Sequence, residues 1–279
     1  MIRILLLAAF SMNLACLAFS EEKAWAQLTD KTLVVWTAPA DLDQTGGSAL
    51  TIDDRLSHFD AIVFGELSPR KWMAGSDFFA RTQKQQEEYG VEAAQPDEYV
   101  QIGIVYEGKS VTIYRSGAVY AAYEIDRPQT FPPDSVILFG KRHLDMQGAG
   151  FYQGKIADAR IYDTALTCDQ LRALKPNEPS AVSPWAWWSF ADGDIQEKTG
   201  HYNEVKLAGD IQVRDGALVL GGDNAAMIAY PSGVETDFAG DWMKDRPAPA
   251  SVITSARAFR NHLLADPYRP DYHFCVPED

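Results

Sequence analysis

The chain has 279 residues, room for one sandwich-sized domain with an appendage or for two small domains. Its 39 Asp and Glu outnumber 25 Lys and Arg, a formal net charge of −14 at pH 7. Nucleic acid and anionic membranes are held by clustered Lys and Arg, so this balance argues against both as partners and leaves an uncharged ligand such as a glycan open.

Residues 1–20 carry one early cation, Arg3, then the apolar run ILLLAAF and a second apolar patch from Leu14 to Phe19. This is the profile of a secretory signal peptide, too short in its apolar run for the ~20 residues of a spanning helix, and it predicts an exported, periplasmic or extracellular protein. Cleavage after Ser20 or after Ala26 both fit, with small residues at Ala18 and Ser20 or at Ala24 and Ala26. Cys16 lies inside the discarded segment on this reading. Cys168 and Cys275 remain, and an oxidising compartment permits but does not require their pairing.

From Lys31 to Leu174 short apolar runs alternate with Gly, Asp and Pro: TLVVW, SALTI, AIVFGEL, YVQIGIVYEG, SVTIYRSG, AVYAAYEI, SVILFGK and KIADARIYD. Short strands at regular spacing predict an all-β sandwich, and a parallel α/β sheet is excluded for want of crossover helices. The only helical candidate among these strands, Ser76 to Tyr89, is polar after its first turn and reads equally as a surface loop. In GKSVTIYRSGAVYAAYEI the chain turns at Ser116 and Gly117 between two alternating runs, a β-hairpin.

The stretch FYQGKIADARIYDTALTCDQLRAL, Phe151 to Leu174, combines a strand with a short helix. Alternation sets Ile156, Asp158, Arg160 and Tyr162 against Ala157, Ala159 and Ile161. Thr167 and Gln170 have the spacing of a capping box, and Leu166 and Leu171 that of a hydrophobic staple. With the hairpin before it, the stretch resembles the LamG-like jelly roll of the concanavalin A-like lectin and glucanase superfamily. Gly154, Ile156, Asp158, Arg160, Ile161, Tyr162, Ala165, Leu166 and Thr167 carry the resemblance, while Ser116 departs from the hairpin Asn of that family. It covers residues 28–176 and implies a jelly-roll β-sandwich without naming a ligand.

Family members open with a strand of the form Gly-x-Ala-Leu-x-Leu-x-Gly, absent before Lys31 but present later within Trp185 to Ala229. Residues 185–230 are therefore expected either to complete the sandwich, with Gly216 to Gly221 beside the strand at Lys155 to Tyr162, or to open a second one. Completion is preferred, because two strands alone cannot bury a core. Residues 237–250 read as a Pro-containing linker. Then Val252, Ala256, Phe259 and Leu263 lie on one face of a helix that ends at Pro267, a short C-terminal appendage. The last stretch, RPDYHFCVPED, resembles the entry to the catalytic domain of glycoside hydrolase family 32 through Arg269, Pro270, Tyr272, His273, Phe274 and Pro277.

That family uses a carboxylate nucleophile and a separate acid/base, and none of its acidic motifs occurs here, so the chain as it stands carries no catalytic pair. There is no phosphate-binding Gly-rich loop, no Gly-x-Ser-x-Gly elbow, no Cys-x-x-Cys and no helical His pair. No cofactor is implied. Asp41, Asp43, Asp53 and Asp54 could donate oxygens to calcium, although a solvated acidic rim is the preferred reading. Sugar sites set an aromatic ring beside a few polar groups. In GELSPRKWMAGSDFFART, Trp72 has Arg70, Lys71, Asp77 and Arg81 nearby, so Trp72, Asp77 and Arg81 are the candidate carbohydrate contacts. The rival reading packs Trp72 onto the sandwich. Trp36, Trp187 and Trp188 read as core, although only one of the last two can face inward. Two functions of different class follow, a secreted carbohydrate-binding module ahead of a glycoside hydrolase domain or a β-sandwich spacer that binds nothing, and a third, a glycoside hydrolase acting on fructans or sucrose-like sugars, applies if the chain continues past Asp279.

Overall fold

The computed structural model describes residues 25–95, 97–144 and 150–234. The leader, the linker at 237–250, the appended helix, the family 32-like edge and Cys275 lie outside the described residues.

The strands are β1 (Lys31–Pro39), β2 (Gly47–Asp53), β3 (Phe59–Phe64), β4 (Trp72–Ser76), β5 (Val100–Glu107), β6 (Ser110–Arg115), β7 (Ala118–Glu124), β8 (Val136–Phe139), β9 (Gly154–Tyr162), β10 (Ala186–Ser189), β11 (Tyr202–Arg214) and β12 (Ala217–Pro231). All pairings are antiparallel, in the order β4-β3-β2-β8-β12-β9-β1-β5-β6-β7, with β10 on β9 and β11 on β12. This is one curled sheet whose halves face each other as the jelly-roll sandwich that the strand-rich sequence predicts. Leu33, Val35, Ile102 and Ile104 from one half and Leu50, Ile52, Ile62 and Phe64 from the other share one buried cluster. Each such side chain contributes about 1.5–3 kcal/mol on burial.

The sheet curls through β12. Its first part, Leu218 to Leu220, pairs with Ile156 to Gly154 of β9, and its second, Met227 to Ala229, pairs with Phe139 to Ile137 of β8. Leu218 and Leu220 are buried in the main cluster with Ile156. β11 follows β12 along its length, so this long hairpin closes one side of the sandwich.

β9 departs from simple alternation. Thr37 pairs with Ile156 but Trp36 pairs with Asp158, so Ala157 is an extra residue, a β-bulge. The bulge puts Ile156, Ala159 and Ile161 together in the core and turns Asp158, Arg160 and Tyr162 to the outer face. There the segment after β9 covers the sheet, packing Leu166 and Leu171 on Val34, Trp36, Val105 and Tyr162. Its helix, α1 (Cys168–Ala173), carries the expected capping box. Thr167 accepts from the Gln170 backbone N–H at 3.2 Å, and the Gln170 side chain accepts from Thr167 N–H at 2.8 Å.

The Asp-x-Arg pair of β9 fastens this cover. Arg160 donates to Asp158 Oδ1 at 2.8 Å and to the carbonyls of Lys175 and Glu178 at 2.7 Å each, with its guanidinium between the rings of Trp36 (5.3 Å) and Trp187 (4.9 Å). Asp158 also accepts from the Trp187 indole at 2.8 Å. Trp188 faces the core and Trp187 this outer cluster, the split that their adjacency requires. At the N-terminal side, Trp25 stacks on His201 at 4.0 Å and Leu28 bridges Phe131.

Candidate functional site

Residues 77–95 leave β4 and lie against the other edge strand, β7, through Tyr120 and Tyr123, on the other side of the sandwich. They form a strap rather than a helix. Of the Ser76 to Tyr89 stretch, Ser76 ends β4, Asp77–Phe79 form a three-residue 3-10 turn, and the rest is loop. Trp72, which opens β4, is fully buried, its ring 4.6 Å from Phe64 and 6.4 Å from Tyr152. Its indole N–H donates to Glu92 Oε2 at 2.8 Å. Glu92 also accepts from Arg115 (2.8 and 2.6 Å) and from the backbone N–H groups of Ala93 and Ala94, both at 2.9 Å. Burial pushes the Glu92 carboxyl up, but these donors, Arg115 first, outweigh it and hold it at about 2. Tyr123 Oη donates to the carbonyl of Arg81 at 3.0 Å, tying the strap to β7.

Arg81 is equally buried. It donates to Asp60 Oδ1 at 2.7 Å and to the Phe59 carbonyl at 2.9 Å, and it pairs with Asp77. The expectation that Trp72 and Arg81 face a sugar is therefore corrected: one ring is inside the core, and one guanidinium is buried with its Nε and Nη2 on protein acceptors. Asp77 is half-buried and belongs to the same ion cluster. What this cluster holds up is the turn between them.

In that turn Phe78 (φ 48°) and Phe79 (φ 59°) both adopt left-handed backbone, uncommon for any side chain and strained for a bulky one. Phe79 packs on Phe59, Ala61, Val63 and Met73 along the outer face of β3 and β4. Phe78 stays 38% exposed. Beside them Phe59 stacks on His143 at 5.1 Å. Burial, helped by Arg142 and Lys141, lowers the imidazole to about 4, so it is neutral at neutral pH. The result is an aromatic rim with a neutral hydrogen-bonding ring at its back, a surface on which an apolar ring face can stack. Sequence reasoning passed over Phe78, although two consecutive aromatics after Ser-Asp in a loop cannot both turn inward.

The four aspartates named for calcium are occupied by protein donors. Asp54 accepts from the N–H groups of Leu56, Ser57 and His58 and from the His58 ring. Asp53 accepts from the N–H groups of Arg55 and Leu144, Asp41 from that of Asp43, and Asp43 pairs with Arg70. Among the described residues no group of three or more His, Cys, Asp or Glu is placed to hold a metal ion. No helix among them is long and apolar enough to cross a membrane.

The model of the concanavalin A-like lectin/glucanases superfamily matches residues 17–172. No curated protein sequence matches the chain. Solved structures with a similar fold include domain 4 of AbnA, a GH43 extracellular arabinanase from Geobacillus stearothermophilus in complex with arabinotriose. Its identity is 12% over 52% of this chain and 65% of that one, with a TM-score of 0.39. A candidate carbohydrate binding protein from Bacteroides ovatus matches at 11% identity over 74% of this chain and 55% of that one, with a TM-score of 0.42. The heptameric SAP-like pentraxin of Limulus polyphemus matches at 15% identity over 62% of this chain and 83% of that one, with a TM-score of 0.39. The chain spans less than two thirds of the length of the first two.

Proposed function

We propose, from the premise that this chain belongs to the concanavalin A-like lectin/glucanases superfamily, that it is a carbohydrate-binding module whose contact surface is the aromatic rim at Phe78. One observation carries the reading: Phe78, a bulky side chain, is held partly exposed on a left-handed backbone by a buried ion cluster. Strain of this kind costs about 1–3 kcal/mol per residue and persists where the surroundings enforce it, as ligand clamps do. The expected ligand is uncharged, since the net charge of −14 repels acidic polymers.

The test is native electrophoresis in gels containing inulin, arabinan or xylan, three neutral polysaccharides. At least one should retard the wild-type protein, and Phe78→Ala should weaken that retardation about tenfold, 1.4 kcal/mol. Wild-type protein unretarded in all three gels overturns the reading and favours the spacer, which the wholly structural roles of Trp72 and Arg81 support.

We infer further that the protein is exported and stands ahead of a family 32-type glycoside hydrolase domain. The leader-like residues 1–20 and the match at Arg269, Pro270, Tyr272, His273, Phe274 and Pro277 support this. Reading the gene past Asp279 decides the second point: codons for Asn-Asp-Pro-Asn-Gly are expected, and a stop codon refutes it.

A further inference from the structure

A second surface, remote from Phe78, has the make-up of a ligand face. α1 and its flanking loops cover the outer side of β1, β5 and β9 only around Val34, Trp36, Val105 and Tyr162. Toward the other end of these strands the sheet carries no such helix: Ala38 is covered by its neighbours, Lys155 and Val219 are half-buried, and Gln212 is exposed. Ala38 pairs with Lys155, Lys155 with Val219, and Val219 with Gln212, one row across β1, β9, β12 and β11. Ile156, Leu218 and Leu220 point into the core, so Lys155 and Val219 between them point out. On β1's other side, Thr37 pairs with Val100, a core residue, which directs its predecessor Tyr99 to the same outer face. Five strands at ~4.8 Å spacing make the row about 19 Å wide.

The chemistry of this row selects among partners. Tyr99 is 39% exposed at one end, and Gln212 and Arg214 are exposed at the other. The cations are each matched on the spot, Lys155 with Asp97 at 2.7 Å and Arg214 with Asp215 at 3.6 Å. A face with compensated charges, an aromatic ring, an amide and hydrogen-bonding ion pairs offers little to an apolar protein surface and no net attraction to an anion. It suits an extended, uncharged polyhydroxylated chain: the ring stacks on a sugar, and the carboxylates and amide take its hydroxyls.

We propose that the helix-free sheet face bearing Tyr99, Lys155 and Gln212 is a second glycan-binding surface. It lies near Ala38, seven residues along β1 from Lys31, which contacts the Asp60 and Arg81 cluster beneath Phe78. The two surfaces lie on the outer sides of opposite halves of the sandwich, offset by about 23 Å along the strands. A polymer long enough to pass round the sandwich edge and engage both gains by effective concentration, whereas an oligosaccharide that reaches one does not.

The experiment uses the whole chain in the inulin, arabinan and xylan gels, with Tyr99→Ala, Gln212→Ala and Phe78→Ala, each checked for an unchanged thermal midpoint. Tyr99→Ala should weaken retardation about tenfold, Gln212→Ala less, and Tyr99→Phe should retain it because the stacking ring remains. Undiminished retardation of both Tyr99→Ala and Gln212→Ala, with loss in Phe78→Ala, overturns this proposal and leaves the Phe78 reading standing. Loss in Tyr99→Ala with none in Phe78→Ala does the reverse. A wild-type chain retarded by none of the polymers removes both. Should Tyr99→Ala fail to fold, Gln212→Ala and Lys155→Gln carry the test.

Discussion

Lys31 and Asp60 meet inside the sandwich, Nζ to Oδ2 at 3.0 Å, one from β1 and the other from β3 on the facing half of the sheet. Neither is exposed by more than 1%, and Asp60 uses its second oxygen for Arg81. One buried carboxylate thus bridges two buried cations, and Asp77 supplies the second negative charge at Arg81. Removing it leaves Lys31 without a carboxylate and Arg81 with Asp77 alone, and breaking a buried pair in this way costs about 3–5 kcal/mol. Asp60→Asn should lower stability by that order in urea unfolding. Lys31→Met should cost distinctly less, because Arg81 still answers Asp60.

Acid should act through Glu92. Its folded-state carboxyl sits at about 2 against an ordinary 4.5, so its contribution is complete above 4.5 and is lost as pH falls from there toward 2. Thermal midpoints measured from pH 6 down to pH 2.5 should fall more steeply for wild type than for Glu92→Gln. At pH 6 the variant should be less stable by about 2 kcal/mol, the scale of hydrogen bonds to a charged group. Parallel curves would remove Glu92 from this role.

Trp72→Phe separates packing from binding. It keeps most of the buried ring but forfeits the 2.8 Å bond to Glu92, leaving an acceptor one donor short, at about 1 kcal/mol. Retardation in polysaccharide gels should be unchanged, since no part of Trp72 reaches solvent. Trp72→Ala, by contrast, should cost about 3–5 kcal/mol and lose binding only through unfolding.

Trp72 also illustrates how far the sequence could be read. Strand runs such as TLVVW and VQIGIV declare themselves because their apolar residues serve one continuous core, and Thr167 and Gln170 declare a helix start because capping is local. Trp72 itself looks like a loop aromatic with cations at hand. Its burial depends on Glu92, twenty residues on, and on Arg115 from another strand, contacts that no local pattern encodes. WMAGS lacks alternation yet forms an edge strand, because pairing to β3 asks only for backbone. The bulge at Ala157 likewise escapes periodicity: a single extra residue reverses the faces of Asp158 and Arg160 relative to Ile156. The helix-free face at Lys155 is a property of register across strands far apart in the chain.

The hairpin turn offers a stabilising substitution. Ser116 (φ 49°) and Gly117 (φ 74°) are both left-handed, as a two-residue turn matching the strand twist requires. Gly117 has no alternative, because a Cβ there would lie 2.5 Å from Arg172 Cγ. Ser116 bears the strain, and Asn tolerates this backbone better than Ser. Ser116→Asn should raise stability by about 0.5 kcal/mol, visible as a higher thermal midpoint. A lowered midpoint would mean that the serine is held by something other than its backbone.

Phe78 gives the sharpest separation of stability from function. In the left-handed region an L side chain costs roughly 1–2 kcal/mol, a penalty that glycine escapes, while glycine adds entropy to the unfolded chain. The ring is 38% exposed, so its packing offsets only part of that penalty. Phe78→Gly should therefore be neutral or stabilising by up to about 1 kcal/mol in urea unfolding. If the rim binds glycan, the same variant should lose polysaccharide retardation as fully as Phe78→Ala does. A stable variant that no longer binds is the signature of strain kept for a ligand. A destabilised variant that still binds would make Phe78 part of the packing, and the rim would then have to be sought elsewhere.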